Sequence, residues 1–215
     1  MRPSRIDASV DSVLQGRRLL THPFYRRWEA GRVSKPELAS YAAQYRHFEQ
    51  YLPHFLAELA SALPDGPART LVQANLGDEL GDPIPHTALF EEFATAVGAT
   101  VQEASPAMAQ LLATYDEMLD MDPQSALAGF LAYEMQAAEV ASNKAKTLRQ
   151  HYGIDGRGSA FWDHHARVDV EHRQWMRDAL ALSTSDTHEI EESLRNAADA
   201  WWAFLDEREE FATAA

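Results

Sequence analysis

Apolar residues recur at spacings of three and four through nearly every segment longer than ten residues, and no stretch alternates apolar and polar positions as a half-buried strand does. Helices packed on helices are the architecture this pattern permits. Proline and glycine punctuate it. Val10, Val13, Leu14 and Leu20 predict a first helix over residues 8–20, ended by Thr21-His22-Pro23. A short helix follows and closes around Gly31. Ser34-Lys35-Pro36-Glu37 has the form of a capping box with proline in the first turn, and predicts a long helix reaching about Leu63. Leu38, Tyr41, Tyr45, Phe48, Leu52, Phe55 and Leu59 form its core stripe, with Pro53 as a candidate bend.

Beyond the turn Pro64-Asp65-Gly66-Pro67, helices are expected over 68–80, 86–97, 106–119, 123–152, 159–182 and 187–211. Gly81-Asp82-Pro83-Ile84-Pro85 interrupts the chain between the first two of these, and residues 183–186 connect the last two. No repeat, low-complexity linker or shift in composition marks a second domain, so residues 1–215 read as one all-α, single-domain bundle.

The formal charge of −14 disfavours nucleic acid and anionic membranes as partners, since both require a concentrated basic surface. No apolar run approaches a membrane span, and the N-terminus lacks the apolar segment of a signal peptide, which predicts a cytoplasmic protein. The absence of cysteine removes disulfides, thiolate metal sites and a cysteine nucleophile. Any metal must be held by oxygen and imidazole nitrogen.

That restriction directs attention to His165, Asp169 and His172, which at i, i+4 and i+7 fall within roughly 60° on one helix face. Alone, the stripe reads equally well as a solvent-facing polar face. Glu134 lies among Phe130, Leu131, Ala132 and Met135, where a carboxylate is costly unless paired or metal-bound. Glu139, about 140° further round, is expected in solvent. Glu79 and His86 straddle the Gly-Asp-Pro-Ile-Pro break, a place where side chains can converge from different backbone directions or simply decorate a polar turn. His164 lies about 140° from Asp169 on its helix and receives no metal role, nor do His22, His47, His54, His151 and His188. Oxygen and imidazole ligation without thiolate suits iron or manganese. The ferritin-like version of a dimetal bundle needs two Glu-x-x-His pairs, and none is present.

In the order and spacing of Glu79, His86, Glu134, His165, Asp169 and His172, the chain resembles the haem-oxygenase-like dimetal oxidases, and among them the CADD-type self-sacrificing para-aminobenzoate synthases. The resemblance runs from about His22 to Trp175. It implies a haem-oxygenase-like fold, two metal ions (iron–iron or manganese–iron), O₂ as co-substrate and an external reductant. His22-Pro23-Phe24-Tyr25-x-x-Trp28-x-x-Gly31 is similar to the family segment carrying the tyrosine consumed as the source of the aromatic ring, which would be Tyr25. Tyr41 matches a second site tyrosine, and Lys144, one of three lysines with Lys35 and Lys146, matches the lysine implicated as amino donor or essential partner.

Two features depart from that pattern. Phe161 stands where another active-site tyrosine is expected. Lys144 is ten residues from Glu134, about 15 Å along a straight helix and roughly 80° round it, so that without a kink or π-bulge only its long side chain would reach the site. Tyr45, Tyr133 and the Trp201-Trp202 pair are expected in packing or an oligomer interface, and the paired tryptophans fit a homodimer. Two further functions are compatible with the residues: oxidation of an external amine, amino acid or fatty acid at the same metals, and a non-enzymatic helical binding protein.

Overall fold

The computed structural model describes residues 3–81, 84–182 and 187–214. Among them are nine α-helices and no strand: α1 (Pro3–Leu14), α2 (Pro23–Glu29), α3 (Lys35–Ala62), α4 (Pro67–Leu80), α5 (His86–Ala96), α6 (Pro106–Met121), α7 (Pro123–Thr147), α8 (Arg157–Ala181) and α9 (Thr187–Ala214). The expected break at Asp82-Pro83 and the connection through residues 183–186 lie outside the described residues. Among those described, no helix is long and apolar enough to cross a membrane.

Local chemistry starts most of these helices. Ser34 accepts from the Glu37 backbone N–H while the Glu37 carboxylate accepts from the Ser34 N–H, completing the capping box of α3. Ser105 caps α6, Asp122 caps α7 through two backbone N–H groups, and proline occupies the first turn of each. The first helix departs from expectation: it ends at Leu14, and Leu19–Thr21 form a separate 3₁₀ turn. Gly16, at φ +86°, turns the chain in a way that ends the α1 ladder. At the far end of α7 the expected helix does reach Tyr152, but its last five residues, Leu148–Tyr152, form a π-helical turn.

The helices pack around α7, which lies most extensively against α8 and α9, while α4 and α5 flank α8 and α3 crosses α4, α5 and α6. Every residue of the predicted α3 stripe is buried, and each large apolar side chain so placed stabilises the fold by roughly 1.5–3 kcal/mol. Pro53 lies inside α3 without ending it. Trp201 is core, stacked at 4.7 Å on Tyr133 and donating from Nε1 to the Tyr115 hydroxyl at 2.9 Å. Trp202 packs edge-on against His22 at 4.6 Å. Both tryptophans thus have intrachain packing roles.

Candidate metal centre

Four helices deliver the six candidate ligands to one interior region: the last turn of α4 carries Glu79, the first residue of α5 is His86, mid-α7 carries Glu134, and α8 carries His165, Asp169 and His172. None is more than 6% exposed. They form two groups of three, Glu79–His86–His165 and Glu134–Asp169–His172, and within each the ligand atoms lie no more than 4.8 Å apart. Glu79 reaches toward both: its Oε2 is 2.9 Å from His86 Nδ1, and its Oε1 is 3.9 Å from His165 Nε2 and 3.6 Å from His172 Nδ1. A carboxylate so placed could serve as a ligand to either group.

Hydrogen bonds outside the cage orient the imidazoles. His165 Nδ1 donates to the Phe161 carbonyl at 3.0 Å, which leaves Nε2 toward Glu79. His172 Nε2 donates to Asp78 Oδ2 at 2.8 Å, and its Nδ1 faces Asp169 at 3.5 Å and Glu134 at 4.0 Å. That Nδ1 and Glu134 Oε2 are buried without any hydrogen-bond partner. Inside a core, orphaned lone pairs among carboxylates are costly, and a cation at each group satisfies them. The donor set therefore fits a pair of first-row divalent ions.

The electrostatics agree. Burial, and then the neighbouring Glu134 and Glu79, push Asp169 well above the usual carboxylate range. Burial also pushes Glu134 up to about 7. Glu79 alone lies low, because the His86 hydrogen bond and surrounding imidazoles outweigh its burial. Burial pulls His165 down to about 3, keeping its lone pair free for a metal.

A second chamber holds the other three residues. Tyr25 of α2 and Tyr41 of α3 share a hydroxyl–hydroxyl hydrogen bond at 2.8 Å, and Lys144 Nζ donates to the Tyr41 hydroxyl. Lys144 is 1% exposed, with Nζ 3.9 Å from the Trp162 ring centroid, 4.6 Å from that of Tyr41, 4.7 Å from Tyr25 and 4.9 Å from Tyr45. Burial drives its pKa well below that of an ordinary lysine, with Glu49 opposing. The π-helical turn begins four residues after Lys144 and does not carry it toward the cage, so the side chain enters the aromatic chamber from a regular helix. Phe161 supplies no hydroxyl; its ring packs 4.1 Å from His165 and 5.1 Å from Phe90.

Sequence reasoning missed three neighbours. Glu49 is 3% exposed with Oε2 unpartnered, and burial, then Glu79, raises its pKa while Lys144 and a Tyr45 hydrogen bond lower it. It thus senses both cage and chamber. Its signal was available, since Tyr41, Tyr45 and Glu49 stand at i, i+4 and i+8 on the core face of α3. Asp78, beside Glu79, had no such signal. His164, set aside on helical angle, places its ring 4.4 Å from that of His86.

Residues 39–206 match a family model described as an iron-containing redox enzyme. The chain belongs to that family. Among curated relatives of this redox enzyme, the 4-aminobenzoate synthase of Nitrosomonas europaea is 32% identical, with 96% of this chain and 92% of the relative covered. The 4-aminobenzoate synthase of Chlamydia pneumoniae is 27% identical, covering 91% of each chain. In fold, the redox enzyme resembles a CADD-like protein from Nostoc punctiforme, with TM-score 0.81, 20% identity and 98% of each chain covered. It also resembles a TenA homologue from Pseudomonas syringae, with TM-score 0.82, 14% identity and coverage of 96% and 92%.

Proposed function

We infer that this chain is a 4-aminobenzoate synthase and that the aromatic ring of its product comes from Tyr25. The function rests on the curated relatives, each named 4-aminobenzoate synthase. The choice of Tyr25 rests on the likeness of His22-Pro23-Phe24-Tyr25-x-x-Trp28-x-x-Gly31 to the family segment carrying the consumed tyrosine, and it is supported by a buried Lys144 amine 4.7 Å from the centre of that ring, inside an aromatic chamber. The product needs a benzene ring with nitrogen para to a carboxylate. Tyr25 offers a ring with oxygen para to a carbon, Cβ, that becomes the carboxylate once its bond to Cα is broken.

When bound, the two metal ions, with O₂ and an external reductant, supply the oxidising equivalents. Iron–iron and manganese–iron pairs both suit six oxygen and imidazole donors. The chain's own residues do the positioning. Glu79, His86 and His165 would hold one ion, and Glu134, Asp169 and His172 the other. Tyr41 fixes the Tyr25 hydroxyl, and desolvation favours the neutral form of the Lys144 amine, the form with a lone pair to give. The surrounding rings exclude water, which would otherwise compete for the activated phenol. Each chain then works once.

The test is rescue of a para-aminobenzoate auxotroph by wild type, Tyr25→Phe and Lys144→Met, with intact-protein mass after exposure to iron, reductant and O₂. Wild type is expected to rescue growth and to lose mass at residue 25, and neither variant to do so. Rescue by Tyr25→Phe equal to wild type overturns the self-consuming reading while leaving the synthase reading in place.

A further inference from the structure

Beside the cage, Asp78, His86 and His164 each bring a ligand atom within 4.8 Å of the others. We propose that these three residues form an outer divalent-cation site that receives an ion from solvent and passes it to the inner cage through His86. This rests on the reading of the six buried residues as a dimetal cage.

Position separates this group from the cage. The Asp78 side chain is 35% exposed and His164 is half-buried, whereas His86 is 2% exposed and the remaining cage residues are buried behind it. His86 stands between the two sets. Its Nδ1 is 2.9 Å from Glu79 Oε2, and its Nε2 is 3.9 Å from Asp78 Oδ2. Its ring centroid is 4.4 Å from that of His164 and 4.7 Å from that of His165. One imidazole thus presents a nitrogen to each set, and an ion released from Nε2 finds Glu79 and Nδ1 one ring width further in.

The chemistry of the outer residues points to a ligand. His164 Nε2 is buried yet has no hydrogen-bond partner, an arrangement that costs free energy unless something occupies it. Asp78 Oδ2 accepts from His172 Nε2 at 2.8 Å, and its second oxygen remains for an ion. One carboxylate and two imidazoles suit Mn²⁺, Fe²⁺, Co²⁺ or Zn²⁺ better than Mg²⁺ or Ca²⁺. The outer group opens to solvent at Asp78 whereas the inner one is enclosed, and a formal charge of −14 raises the local concentration of cations. An open outer group beside an enclosed inner one is what stepwise loading requires.

The experiment mixes the metal-stripped full chain with Co²⁺ and follows the growth of ligand-field absorption, then measures bound cobalt after desalting. Wild type, His164→Gln and His164→Asn are compared, with circular dichroism to verify folding. The expected result is loading slowed about tenfold in both variants, of the order seen when partners around a metal site are removed, with the final cobalt content and spectrum equal to wild type. Equal loading rates overturn the outer site. Slower loading with less cobalt retained also overturns it, because His164 would then be a ligand of the finished centre. If wild type retains no cobalt, the cage reading fails and the outer site falls with it.

Discussion

Glu134→Gln, in metal-stripped protein, is expected to stabilise the fold at alkaline pH and to weaken metal binding, two effects of opposite sign from one carboxylate. Glu134 is 2% exposed; its Oε1 accepts from Asn75 at 3.4 Å and its Oε2 has no partner. Burial lifts its pKa from an ordinary 4.5 to about 7, the charge of Glu79 adding to burial and His172 and Asn75 opposing. The folded state therefore keeps a proton between those values that the unfolded chain has released. The resulting stabilisation is full below pH 4.5 and is lost as pH rises through 7, and the ionised form costs the fold about 3 kcal/mol at pH 8. Glutamine keeps an acceptor for Asn75 and does not titrate. His165 has the opposite dependence, contributing above its ordinary 6.5 and losing that contribution as pH falls toward 3, but it is present in both proteins and cancels. Denaturant unfolding in chelator from pH 4 to 8 should show the variant and wild type alike at pH 4, with the variant more stable by about 3 kcal/mol at pH 8. Adding Fe²⁺ or Mn²⁺ to a thousand times the wild-type Kd should reverse the order, since binding then adds about 4.1 kcal/mol to the protein that holds the ion, more than the deficit of about 3 kcal/mol. A flat difference curve, or a variant that binds the metal as tightly as wild type, would refute the placement of Glu134 as a ligand.

Two further perturbations probe other parts of the molecule. Gly31→Ala places a side chain at φ +66° and a Cβ 2.5 Å from His151 Cγ, so thermal melting should show a loss of at least about 1–2 kcal/mol, and an unchanged Tm would contradict the packing of the α2–α3 turn. Glu49→Gln removes the negative charge that raises the Lys144 pKa, so the acid limb of aminobenzoate formation against pH should move to lower pH; a limb that stays put would separate Glu49 from the amine.

Much of the fold is written locally. The capping box at Ser34, the prolines in first turns and the i, i+3, i+4 stripe of α3 are short-range devices, and each acts where the sequence places it. The alignment of His165, Asp169 and His172 is equally local, because a helix of 3.6 residues per turn sets that face by itself. Gly16 shows the limit of periodicity: apolar spacing continued through Leu20, but the backbone turned at a positive φ.

What the sequence by itself determined was therefore which residues share a helix and a face. Only the tertiary structure decided that Glu79 faces His172 across two helices, that Lys144 of α7 lies over Tyr25 of α2, and that Glu49 senses both groups. It also brought His164, turned from Asp169 on α8, against His86 of α5. The physical reason is that helical periodicity fixes direction around one axis, whereas contact between helices depends on the crossing and register set by core packing over the whole chain.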